Sequence, residues 1–61
     1  MDDFHVLVNL KSQFDPVVST HIIHYRIDPV INMLVLEDKD GNIIHYNLDD
    51  VLRFGIYPRK E

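Results

Sequence analysis

The chain has 61 residues, no cysteine, 46% apolar and 26% charged residues, and a net charge of −4. That length admits one small domain and excludes a dinucleotide-binding unit with a second domain, a TIM barrel or a protein kinase. Without cysteine there is neither a disulfide framework nor a thiolate metal site, which points to a reducing, cytoplasmic setting.

Charge is spread evenly. Residues 1–30 carry four acids and two bases, and residues 31–61 carry six and four. Neither half is a basic arm, so duplex nucleic acid is not an expected partner. The start, Met1-Asp2-Asp3-Phe4, has neither the basic nor the apolar region of a secretory leader. The longest apolar run is Met33-Leu34-Val35-Leu36, far short of a membrane span, so no membrane partner is expected.

Period-two alternation of apolar residues predicts an all-β chain of five strands. Over residues 4–10, Phe4, Val6, Val8 and Leu10 alternate with His5, Leu7 and Asn9, which gives a strand with one apolar face. Lys11 to Ser19 breaks the pattern with Ser12, Gln13, Asp15 and Pro16, and reads as the longest loop. The second strand is expected over 20–27. Its more apolar face, His21, Ile23, Tyr25 and Ile27, is assigned inward, and Ile22 outward. Asp28-Pro29 makes a short turn.

The third strand, 31–37, is apolar on both sides: Ile31, Met33 and Val35 on one, Leu34 and Leu36 on the other. Such a strand is covered twice, by curling of the sheet or by a second subunit. Asp38-Lys39-Asp40-Gly41-Asn42 is a hairpin turn. The fourth strand, 42–47, points Ile44 and Tyr46 inward. Asn47-Leu48-Asp49-Asp50 suits a short 3₁₀ turn. The last strand, 51–57, points Leu52, Phe54 and Ile56 inward and stops at Pro58; a short helix over 48–54 competes with its start.

Residue chemistry gives little support to catalysis. On a strand, His21 and His24 face opposite ways. His24 and His45 are separated by strand three, about 10 Å at the usual spacing, so no shared metal or cofactor is expected. Asp38, Asp40 and Asn42 lack the acid before and the late Glu that a calcium loop needs. Asp49-Asp50 are adjacent, and adjacent carboxylates on a strand diverge. Ser12, Ser19 and Thr20 have no nucleophile motif around them. Gly41 and Gly55 are too few for a phosphate loop. Tyr57 beside Arg59-Lys60 is the one hint of a nucleic-acid platform.

The order strand, long loop, strand, short turn, strand, tight hairpin, strand, 3₁₀-like turn, strand over residues 4–57 resembles an SH3-like small β-barrel. No clustered aromatic groove or Trp accompanies it, so peptide binding of the proline-rich kind does not carry over. Leu34 to Val51 resembles small uncharacterised proteins of Gram-positive bacteria and their phages. That resemblance implies a cytoplasmic modulator or inhibitor of a host protein, acting by steric occlusion.

The expected function is thus a non-catalytic protein-interaction module, either a homodimer or bound to a basic host protein. The alternatives are a self-assembling accessory protein and a weakly nucleic-acid-binding small barrel. Surplus apolar residues at Leu7, Ile22, Met33, Val35 and Ile43 would anchor the partner, with Val51 also doubtful in facing. Glu37, Asp38, Asp40, Asp49 and Asp50 would meet its charges.

Overall fold

In the computed structural model, which describes residues 3–59, every extended stretch of the sequence is a strand. These are β1 (Asp3–Leu10), β2 (Val17–Asp28), β3 (Met33–Asp38), β4 (Ile43–Asn47) and β5 (Val51–Arg59), with a 3₁₀ turn at Leu48–Asp50. All pair antiparallel in one sheet of order β4-β3-β2-β1-β5, and the outer strands β4 and β5 do not pair with each other. The fold is all-β, a curled antiparallel sheet that stays open. Met1 and Lys60, on which the leader and nucleic-acid expectations partly rest, lie outside the described residues.

β1 is the central strand of one half. Val6 and Val8 are fully buried and Leu10 nearly so, as alternation predicts. Opposite them on β5 stand Ile56 (to Val6) and Phe54 (to Val8), with Val51 opposite Leu10. Leu34 and Leu36 of β3 complete the core, with Ile44 and Tyr46 of β4 packed against it.

β2 joins the halves, and it departs most from the expected pattern. It begins at Val17 rather than at 20, so the loop before it spans only 11–16. Its first half pairs with β1 and its second with β3, and the register slips twice, between Ile22 and Ser19 against β1 and between Ile22 and His24 against β3. Each slip reverses which side chains face the core. Ser19 and Ile22 are therefore inside, while His21 and Ile23 are only partly buried. The inward assignment of His21 and Ile23, and the outward one of Ile22, are both corrected by these bulges. His21 itself takes φ 58°, a left-handed conformation that some bulges, those of the G1 type, use.

The bend is large. A twelve-residue strand drawn straight is about 40 Å long. Yet the loops at its two ends are tied to one 3₁₀ turn: Leu48 N–H donates to the Asn32 carbonyl at 2.9 Å, and Lys11 N–H donates to the Asp50 carbonyl at 2.7 Å. The curl closes the inner side of β3 over Leu34 and Leu36, while Val35, on its outer side, is only 6% exposed between its cross-strand neighbours Arg26 and His45.

Three further differences bear on which residues face the core or the surface. β3 starts at Met33, leaving Ile31 in the preceding turn. On β5 a register slip sets Val51 opposite Leu10 and Arg53 opposite Asn9. Leu52 is the extra residue and is pushed out to 65% exposure, so Val51, not Leu52, packs on the core. β5 also runs through Pro58 to Arg59, which an edge strand tolerates because its outer backbone groups need no partner.

Candidate interaction surfaces

The turns are built from local polar chemistry. In the β3–β4 hairpin, Gly41 N–H donates to the Asp38 carbonyl at 3.1 Å and Gly41 sits at φ 86°. That is a type I turn closed by a left-handed residue. The Asp38 carboxylate accepts from the N–H of Asp40 and Asn42 and from the Asn42 amide. These bonds, the Asn42 side chain first, hold its carboxyl below the ordinary value of 3.8. Asp28 is lowered likewise, chiefly by Arg26 at 2.8 Å, and its other oxygen accepts from Val30 and Ile31 N–H. Asn47 caps the 3₁₀ turn by accepting from Asp49 N–H. Asp50 holds the 11–16 loop, accepting from the Ser12 N–H and hydroxyl.

The largest gathering of exposed apolar side chains surrounds the 3₁₀ turn. Phe14 and Val30 are essentially fully exposed, and Ile27, Ile31 and Leu52 are more than half exposed. They come from three places: the 11–16 loop, the β2–β3 turn with the end of β2, and the start of β5. The bonds from Leu48 to Asn32 and from Asp50 to Lys11 bring those segments to the two ends of the same short turn. Asp15 and Asp49 are exposed beside them.

A second surface is the outer face of β2–β3–β4. Cross-strand register sets Arg26, Val35 and His45 in one row and His24, Glu37 and Ile43 in the next. Together with Tyr25 they line an open cavity of about 500 Å³ with Val35 at its floor. His24 and His45 do face the same side, two strands apart. Among the described residues no group of three or more His, Asp, Glu or Cys is placed to hold a metal ion.

The outer face of β1–β5 is smaller. Leu7 stands opposite Val18 on one side and Gly55 on the other. The Tyr57 ring lies over Gly55, where a Cβ would approach it to 2.8 Å. At the β2 bend, His21 Nδ1 lies 2.9 Å from Asp3 Oδ2 and 2.7 Å from Arg59 Nη1. One ring nitrogen donates to the carboxylate or accepts from the guanidinium, not both at once. The His21 hydrogen bond, ahead of the Arg59 charge, holds the Asp3 carboxyl below its ordinary value.

The residues expected to anchor a partner are therefore scattered. Ile22 is fully buried and Val35 nearly so, which removes both as exposed anchors. Leu7 and Met33 are partly buried, and Ile43 is half exposed. Of Val17 and Val18, the first packs on the core and the second is exposed. Nor do the acids form one patch. Asp38 and Asp40 sit at the start of β4 and Asp49 and Asp50 past its end, about 17 Å apart along five residues. Asp38 and Asp50 are engaged in the turns they build, and Glu37 lines the cavity.

Phe14, Val30 and Ile31 were absent from that set. The signal for Val30 and Ile31 was present: two apolar residues between Pro29 and Asn32, where a turn gives them nothing to pack on.

No family model matches the chain, and no curated protein or solved structure matches it. Among the described residues no helix is long and apolar enough to cross a membrane.

Proposed function

We propose that this protein is a non-catalytic interaction module that docks a partner protein on the apolar rim around the 3₁₀ turn. One observation carries this: Phe14 and Val30, almost fully exposed apolar side chains, lie in the two segments that Lys11 and Asn32 tie by backbone hydrogen bonds to the same 3₁₀ turn. Exposed large apolar groups on a defined scaffold are characteristic of contact surfaces. Asp15 and Asp49 on that rim, and the net charge of −4, favour a partner whose facing surface is basic.

The order of strands and loops, the long bent β2 and the 3₁₀ turn before β5 support describing the scaffold as an open relative of the SH3-like barrel. In the version that follows from the resemblance of residues 34–51, the partner is a host protein and docking occludes its working surface.

A photo-crosslinking amino acid placed at Phe14, with a control at Lys39 in the distant hairpin, tests the proposal in cells expressing the protein. The expected result is a defined adduct at Phe14, lost in a Val30→Ser background and weakened by salt. The same adducts from both positions would contradict it.

A further inference from the structure

We infer that β4 is a self-pairing edge: two copies of this chain join antiparallel through Ile43–Asn47, extending the sheet across a two-fold axis at His45. The two edges of the sheet differ in how they are protected. β5 carries a bulge at Leu52, a proline at 58 and the cations Arg53 and Arg59, all features that oppose pairing with another strand. β4 has none of these. Its five residues contain no charge, proline or glycine, and its register against β3 runs unbroken from Glu37↔Ile43 to Met33↔Asn47.

The backbone groups on the free side can be assigned. Asp38 N–H bonds the Asn42 carbonyl at 3.0 Å before the strand, and Leu48 N–H bonds the Asn32 carbonyl at 2.9 Å after it. Alternation then turns the N–H and C=O of Ile44 and Tyr46 towards β3, and those of Ile43, His45 and Asn47 outward. A two-fold axis at His45 pairs every one of those outward groups: His45 with its own copy, and Ile43 with the partner's Asn47. A register centred on Ile44 or Tyr46 leaves some of them unpaired. The same register sets Ile44 opposite the partner's Tyr46 on the inner side. A β-branched residue facing an aromatic is among the favourable cross-strand pairs. Both side chains are only partly buried in the single chain, so a second copy finishes their burial.

This interface does not use Phe14 or Val30, so it is independent of the docking rim. A five-residue ladder is at the small end of specific interfaces, which makes the dimer weak and concentration-dependent. In this register Asp40 of one copy lies near the start of the 3₁₀ turn region of the other, where Asp49 is exposed. Salt therefore strengthens the dimer, the opposite of its effect on a basic partner.

Sedimentation equilibrium from about 1 µM to about 1 mM covers the range of a weak pair, with hydrogen exchange read at Ile43, His45 and Asn47. Dimers at the upper concentrations are expected, with exchange at those amides slowing in step. His45→Lys sets like charges across the axis, and His45→Pro removes an outward N–H without touching the β3 ladder; both are expected to remain folded monomers. A single species of monomer mass throughout overturns the inference. So does a dimer that both variants leave intact, which would place self-association elsewhere on the molecule. Neither result bears on crosslinking at Phe14.

Discussion

Replacing Ile22 and its neighbour Ile23 in turn by alanine reads the bend of β2 directly. Ile22 is fully buried where β2 passes from β1 to β3, opposite Phe4 on one side and Asp38 on the other. Losing the carbons beyond Cβ costs about 2.4 kcal/mol at about 0.8 kcal/mol per methylene-sized group. The cavity left in a site held by two strand pairs raises this to about 3–4 kcal/mol. At about 0.1 kcal/mol per residue, a chain of this size has only about 6 kcal/mol of stability in all. Ile22→Ala should thus remove about half to two-thirds of it and lower the melting temperature by about 12–32 °C, at about 4–8 °C per kcal/mol. Ile23 is only partly buried, and its truncation should cost about 1 kcal/mol. Thermal and urea unfolding followed by circular dichroism give both numbers. An Ile23→Ala cost equal to or above that of Ile22→Ala would refute the bulges, and with them the facing of the whole first half of β2.

Three other outcomes are expected. Gly41→Ala, at φ 86° with open space around the new Cβ, should destabilise by about 1–2 kcal/mol through the backbone alone; Gly41→Asn should cost clearly less in the same urea titration, and equal costs would contradict the turn. Asp3, Asp28 and Asp38 all have carboxyls held below 3.8 by hydrogen bonds in the folded chain. The unfolded chain therefore binds more protons as pH falls through that value, so their stabilisation is complete above it and is lost below it. The urea midpoint should fall on acidification below about pH 4, and Asp38→Asn should make the fall shallower; a midpoint indifferent to pH in that window would count against these bonds. Asp50→Ala removes both bonds to Ser12, at 3.2 and 2.8 Å. It should cost about 0.5–1.5 kcal/mol and speed amide exchange over 11–13, whereas unchanged exchange there would mean the carboxylate does not hold the loop.

What could be read from the residues alone follows from how local the cause is. β1 alternates without interruption, so its core face is plain in the sequence. Asp38 and Gly41 build their turn with bonds four residues apart or less, and Asn47 caps its turn two residues on. A period of two has no memory of an inserted residue: one bulge turns Ile22 from the outer to the inner side, and a second brings Tyr25 and Ile27 into line with Leu36 and Leu34, yet both stay about half exposed, against their inward assignment. Leu52 failed for the same reason on β5. Val35 looks like surplus surface because its cover comes from side chains of the neighbouring strands, Arg26 and His45, which no window of residues displays. The docking rim is hidden on the same ground, since Phe14 and Val30 are sixteen residues apart and their segments reach the two ends of one turn only because β2 bends.

The unfolding midpoint of the double variant Phe14→Ser, Val30→Ser tests most directly whether the rim is a working surface rather than part of the core. Both side chains stand in solvent, so the midpoint should stay within the roughly 0.5 kcal/mol expected for each surface substitution. A loss of several kcal/mol would show that these residues hold the fold together, and would contradict their assignment to a partner.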